Sequence, residues 1–311
     1  MMTDDPEPRL DDYPLDEIDI EAINAFHLGR NLFSVSVQLS DKNDEAGRSF
    51  LLRISLDDQI RQEVLLDIDD LILSHVSLSE KEHIALQVGG TTHHIRNGTI
   101  ATGEGPEAFT NKLWHLDQRT AYLYGDEGTV CLAQGTQWVP IETRTSAFLR
   151  AMHGPTLKLI HVAGDQGTLL RLDGTRWRPV PLGFNHSISA LQVARDGSVY
   201  LGCENGFCAR YADEELTEIA GPGTQICSIC EFAGNRYWGD DEYGLYVQKG
   251  MKLVPFRSLG FVYAMHATDD YLVAVGWKEV FTFNGKAWSG IEFGYDGNLF
   301  VRRIDMTREF I

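Results

Sequence analysis

Gly125-Asp-Glu-Gly128, followed by Gly135-Thr-Gln-Trp138-Val-Pro140-Ile141, returns 39 residues later as Gly164-Asp-Gln-Gly167 and Gly174-Thr-Arg-Trp177-Arg-Pro179-Val180. Self-similarity at that period belongs to solenoids, propellers and other arrays, because each unit needs its neighbours to bury its apolar face. The register holds outward. Trp138, Trp177, Leu216, Leu253 and Trp288 are successive counterparts, each with an apolar partner three residues on: Ile141, Val180, Ile219, Phe256 and Ile291. A turn glycine steps through Gly90, Gly128, Gly167, Gly206 and Gly244, and lapses in the last unit, where Glu279 stands near that place.

Inside a unit, short runs with strand chemistry alternate with glycine and acidic turns. One unit reads Ile188 to Val193, Ser198 to Leu201, Phe207 to Tyr211 and Leu216 to Ile219, linked by Arg195-Asp-Gly197, Glu204-Asn-Gly206 and Ala212-Asp-Glu-Glu215. Four short strands in about 40 residues make a propeller blade. No apolar stretch at helical spacing occurs beyond the first 25 residues. The sequence therefore predicts an all-β chain, a single β-propeller of seven four-stranded blades near 22–69, 70–106, 109–143, 146–182, 186–220, 225–257 and 261–294, with six or eight blades as alternatives. Asn298 to Asp305 reads as a closing strand that pairs with the first blade or covers the last, since an open edge invites aggregation.

The 311 residues, 43% hydrophobic, suffice for one compact domain over 22–311. Residues 1–21 hold nine acids, one Arg and three prolines, and predict an acidic tail. The acidic beginning lacks a signal-peptide core, and apolar runs are strand-length, so a cytoplasmic protein without a membrane span is expected. Five cysteines, an odd number, suit a reducing compartment better than a disulfide framework.

A net charge of −18, from 45 acidic and 27 basic side chains, argues against binding nucleic acid or anionic membrane and favours a cationic partner, although acidity also serves solubility. Its placement is the sharper signal. In a propeller the turns between second and third strands and the links between blades emerge on one face, here called the top. Those turns carry Asp41, Asp44 and Glu45; Asp126 and Glu127; Asp165; Glu204; and Asp240, Asp241 and Glu242, while the links add Glu104, Glu107 and Glu142. Trp277 and Lys278 interrupt the series in the last blade. The expected partner surface is Asp126, Glu127, Asp165, Glu204, Asp240, Asp241, Glu242 and Trp277.

Signatures of catalysis are missing: no Gly-x-x-x-x-Gly-Lys, His-Glu-x-x-His or Gly-x-Ser-x-Gly occurs. Gly103-Glu-Gly105-Pro-Glu-Ala108 imitates a dinucleotide fingerprint but opens no helix, and Asp41 to Glu45 lacks the glycine and distal glutamate of a calcium loop. Cys203, Cys208, Cys227 and Cys230 could converge on zinc only if Cys227 and Cys230, which a regular strand points to opposite faces, both turned inward; buried core thiols are the simpler account. His115, His153 and His266 recur near the ends of inner strands and are read as hydrogen-bonded channel residues. No cofactor or metal is expected.

The Gly-x-x-Gly turn followed by Gly-x-x-Trp-x-Pro, as from Gly164 to Pro179, resembles the bacterial YVTN/BNR-like propellers. The Trp-Asp pair of WD repeats is absent, and the paired glycine of kelch repeats occurs once, at Gly89-Gly90. Acidic single-domain members of that group are similar to immunity proteins that mask secreted toxins. The resemblance implies a non-catalytic module that neutralises a cationic toxin domain, with a general interaction scaffold or a propeller hydrolase or lactonase as alternatives.

Overall fold

A computed structural model describes residues 9–43, 46–106 and 111–307, so the expected top-face acids Asp44, Glu45 and Glu107 lie outside the described residues. Seven antiparallel sheets, each contiguous in sequence, form a seven-bladed ring over 18–68, 72–104, 112–140, 149–179, 188–219, 226–258 and 264–303. In the fifth blade the strands are Ile188–Val193, Val199–Cys203, Cys208–Ala212 and Glu215–Ile219, one or two residues from expectation.

The repeating landmarks acquire physical causes. Gly128 and Gly167 have φ of +70° and +66°, and a Cβ on them would lie 2.1 Å from the Thr145 carbonyl oxygen and 2.2 Å from that of Phe184. Only glycine fits where the turn meets the link into the next blade. Trp138 and Trp177 sit on outer strands with 9% and 4% exposure, facing the blade before. Burying each such side chain stabilises the ring by about 1.5–3 kcal/mol.

Apolar packing lies between blades. Seven buried clusters occupy the seven blade interfaces, from Leu51, Ile72 and Ala85 between the first two to Val35, Val273 and Phe293 between the last and the first. Among the described residues no strand is exchanged to close the ring. Closure rests on that last cluster, on the Ala22 N–H donating to the Trp277 carbonyl at 2.7 Å, and on His27 Nδ1 sharing a 2.8 Å hydrogen bond with Thr268 Oγ1. The interface between blades one and two has the smallest apolar cluster and adds a buried polar chain: His75 bonds Ser36 and Ser34, Ser34 bonds Ser77, and Ser77 bonds His83.

Leu299–Arg303 pairs with the outer strand Trp288–Tyr295 as a fifth strand covering the last blade. It also reaches the first, through Gln62 donating to the Leu299 carbonyl at 3.1 Å and Arg303 donating to those of Leu56 and Asp57. Of the expected tail 1–21, residues 1–8 lie outside the described residues, and part of the rest joins the ring. Leu10 is 5% exposed in the closing cluster, 3-10 turns span Leu10–Asp12 and Leu15–Glu17, and the first strand begins at Ile18.

Candidate functional site

The turns between second and third strands and the interblade links share the top face, as the contacts of Gly128 and Gly167 require. Four of the eight expected partner residues, Glu127, Glu204, Asp241 and Glu242, are exposed acids on those turns, and Trp277 is 54% exposed. Asp126 and Asp165 are half-buried. The outer links add exposed Glu104 and Glu142, the latter beside Arg144 at 3.4 Å.

Asp240 departs from expectation. It is fully buried, with one oxygen accepting from the N–H groups of Tyr243 and Gly244 at 2.9 and 2.7 Å and the other from Thr224 Oγ1 at 2.7 Å. A short carboxylate opening a tight turn is drawn inward by the orphan N–H groups of that turn. Asp41, 1% exposed, does the same for Asn43 and Ala46. Neither belongs to a surface.

Asp165 and Glu204 converge on one cation. Arg150, on the inner strand Leu149–His153, pairs with Asp165 at 2.5 Å and Glu204 at 2.8 Å while lying over Phe148. Burial works against ionising Asp165, but hydrogen bonds from Arg150 and Ser187 prevail and hold its carboxyl below the ordinary range. Trp277 heads an aromatic run, with Phe261 at 6.3 Å and Phe261 stacked on Tyr263 at 5.2 Å.

Inside the ring is a channel of about 910 Å³. Two levels of its wall recur in sequence register: Lys112-Leu-Trp-His115, Arg150-Ala-Met-His153 and Tyr263-Ala-Met-His266. The first residue of each lies at the top of its inner strand and the histidine lies deeper. A register shift beside Arg150, matched by shifts beside Ser189 and Cys227, bulges the strand at this height. Bulges re-aim side chains, and Cys227 lies at this one, whereas Cys230 is buried in the apolar cluster between the last two blades, against Met265.

His115, His153 and His266 all line the channel but are not uniformly hydrogen-bonded. His153 Nδ1 accepts from the Val193 N–H at 2.9 Å, whereas the buried Nδ1 atoms of His115 and His266 have no partner. Both rings pack on Phe26, at 5.8 and 4.7 Å. Burial pushes His153 down to about 4 and His266 to about 3, so these imidazoles stay neutral. Burial pushes the Cys203, Cys208, Cys227 and Cys230 thiols up to about 12, which keeps them protonated. Among the described residues no group of three or more His, Cys, Asp or Glu is placed to hold a metal ion.

Lys112 was not singled out by sequence reasoning. Its side chain is exposed at the top of the channel, where partial desolvation by the surrounding wall, then the neighbouring Arg150 charge, shifts its ammonium below the ordinary value. Its one hydrogen bond is to the Arg150 carbonyl at 3.5 Å, and it forms no ion pair among the described residues. The available signal was the shared spacing of Lys112, Arg150 and Tyr263 to their histidines. The channel-wall carboxylates are Glu231, which is paired with Arg236 at 3.1 Å, and Asp269; both lie toward the bottom.

No known protein family's profile matches this chain, and no curated protein matches it in sequence. Solved structures do match in shape. The WD40 β-propeller domain of Doa1 superposes with a TM-score of 0.69 at 10% identity, over 83% of this chain and 90% of that one. The computationally designed Ika8 protein gives 0.65 at 12% identity over 92% and 97%, and YCF48 bound to D1 peptide gives 0.61 at 12% over 88% and 97%. At such identities the likeness is one of fold, and by fold the chain is a seven-bladed β-propeller.

Proposed function

We propose that the chain is a non-catalytic protein-binding module whose top face takes a basic partner. The observation that carries this reading is the set of exposed carboxylates on top-face turns and links, Glu104, Glu127, Glu142, Glu204, Asp241 and Glu242, with exposed Trp277 beside them. Carboxylates of one sign around a disc steer a cationic surface and speed its encounter, and an exposed indole adds a platform for Lys or Arg. A similar propeller, YCF48, is bound to a peptide, which illustrates the use on this fold. The finer reading, an immunity protein that neutralises a cationic toxin domain in the cytoplasm, rests on acidity and on resemblance of type. The hydrolase alternative is disfavoured by the channel-wall carboxylates, which lie at the bottom rather than paired across the lumen.

The test is affinity capture on immobilised protein, comparing the native chain with a variant carrying Glu104→Lys, Glu127→Lys, Asp241→Lys and Glu242→Lys. Single exposed charges matter by only about 0.2–1 kcal/mol, so several must be reversed together. Basic proteins retained by the native chain and lost on reversal support the reading. Equal loss when Asp117, Asp196 and Asp269 of the bottom face are reversed instead would refute it.

A further inference from the structure

Ion pairs among the described residues are made almost entirely by arginines, such as Arg48, Arg53, Arg150, Arg178 and Arg302, with Lys278 the one lysine in them. Lys112 meets no carboxylate among the described residues. It stands on the channel wall near Arg150 of the next blade.

We propose that the upper channel is a binding site for a small organic carboxylate, its carboxylate group paired with Lys112 and its body lying in the lumen. Three observations converge. Asp165 and Glu204 are engaged by Arg150, and Lys112 itself has no carboxylate partner among the described residues. The wall below is mixed, with Phe26, Trp114 and Met265 among polar residues such as Ser189, Gln192 and Ser228, and the neutral rings of His115 and His266 put no competing charge beside Lys112. The channel volume of about 910 Å³ falls within the range of ligand pockets, roughly 300–1,000 Å³. A carboxylate is favoured because a lone ammonium is a point charge that suits a singly charged anion, whereas planar bidentate recognition calls for an unengaged guanidinium. The site is separate from the top-face turns and does not depend on the protein-binding reading.

Calorimetric titration of the native protein with benzoate at pH 7, with benzyl alcohol as the uncharged counterpart, tests this. One benzoate should bind, benzyl alcohol should bind at least tenfold more weakly, and Lys112→Gln should lower benzoate affinity at least tenfold while Lys158→Gln leaves it unchanged. A second arm uses a tetrapeptide ending in phenylalanine, as the free acid and as the amide. Binding of the acid alone, lost in Lys112→Gln, assigns the carboxylate to a chain terminus instead of a free metabolite and also supports the site. Should Lys112→Gln fold poorly, acetylation of the native protein still reports: Lys112 should react early at pH 8 and be protected by benzoate. No binding in either arm, or binding indifferent to Lys112, overturns the proposal. The four top-face reversals should leave benzoate binding in place, so failure of one reading is distinguishable from failure of the other.

Discussion

Asp240 and Asp241 are neighbours in the chain with unlike surroundings. Asp240 is fully buried and holds three donors, while Asp241 is exposed. Replacing Asp240 by Ala strands two backbone N–H groups and a hydroxyl, and should cost about 2–4 kcal/mol, given about 1–3 kcal/mol for a buried group left unsatisfied. Asp241→Ala should stay within about 0.5 kcal/mol, as surface changes do. Urea unfolding of the two variants measures the difference, and equal midpoints would show that the turn does not depend on its buried carboxylate. The run Asp240-Asp-Glu242 reads in sequence as three equivalent acids, because composition does not say which side chain faces inward. The turn grammar was legible in part, since an Asp that opens a turn tends to cap it. Lys112 escaped notice for a related reason: it becomes a counterpart of Arg150 and Tyr263 only when the inner strands are aligned on their histidines.

Blade count and most strand positions follow from the glycine and tryptophan landmarks, since backbone crowding and interblade burial recur in every unit. What the periodicity hides is the bulge near the top of the inner strands, which breaks the two-residue alternation. Leu10 was equally hidden: one apolar side chain among acids and prolines carries no period, yet it packs into the closing cluster. The inner and second strands also bury imidazoles that burial holds neutral, with His83, His153 and His161 pushed down to about 4, His266 to about 3, and His75 well below its ordinary value. The unfolded chain takes up protons near the ordinary value of 6.5, whereas the folded chain resists until about 4. Stability contributed by these groups is therefore complete above about pH 6.5 and falls as pH drops, levelling off below about 4 for His83, His153 and His161 and lower for His266, at up to about 1.4 kcal/mol per pH unit for each group. Urea midpoints should decline from pH 7.5 to 6 to 5 and decline less steeply in His161→Gln. A midpoint constant over that range would contradict neutral buried imidazoles.

At the scale of the whole molecule, the described residues close the ring by packing, with no strand exchanged among them, and the fifth strand of the last blade ties back to the first. The turns of each antiparallel blade alternate between its two ends, so Glu127, Glu204, Asp241 and Glu242, far apart in sequence, share one side of the disc, while exposed Asp57, Asp117, Asp196, Asp213 and Asp269 stand at the other. That sharing was legible once the blades were counted; the degree of exposure of each acid was not, because it depends on which side chains serve their own turns. A repeat architecture also leaves function to the site it carries, since the same ring hosts scaffolds and enzymes. The central claim is that the top face is where a basic protein binds, and amide hydrogen exchange on the complex with a captured partner tests it most directly. Protection should rise in the top-face turns around 126–128, 204–206 and 241–243 and around Trp277, while the bottom turns around 117–119, 195–197 and 269–271 exchange as in the free protein. Protection confined to the bottom turns, or spread equally over both faces, would contradict the account.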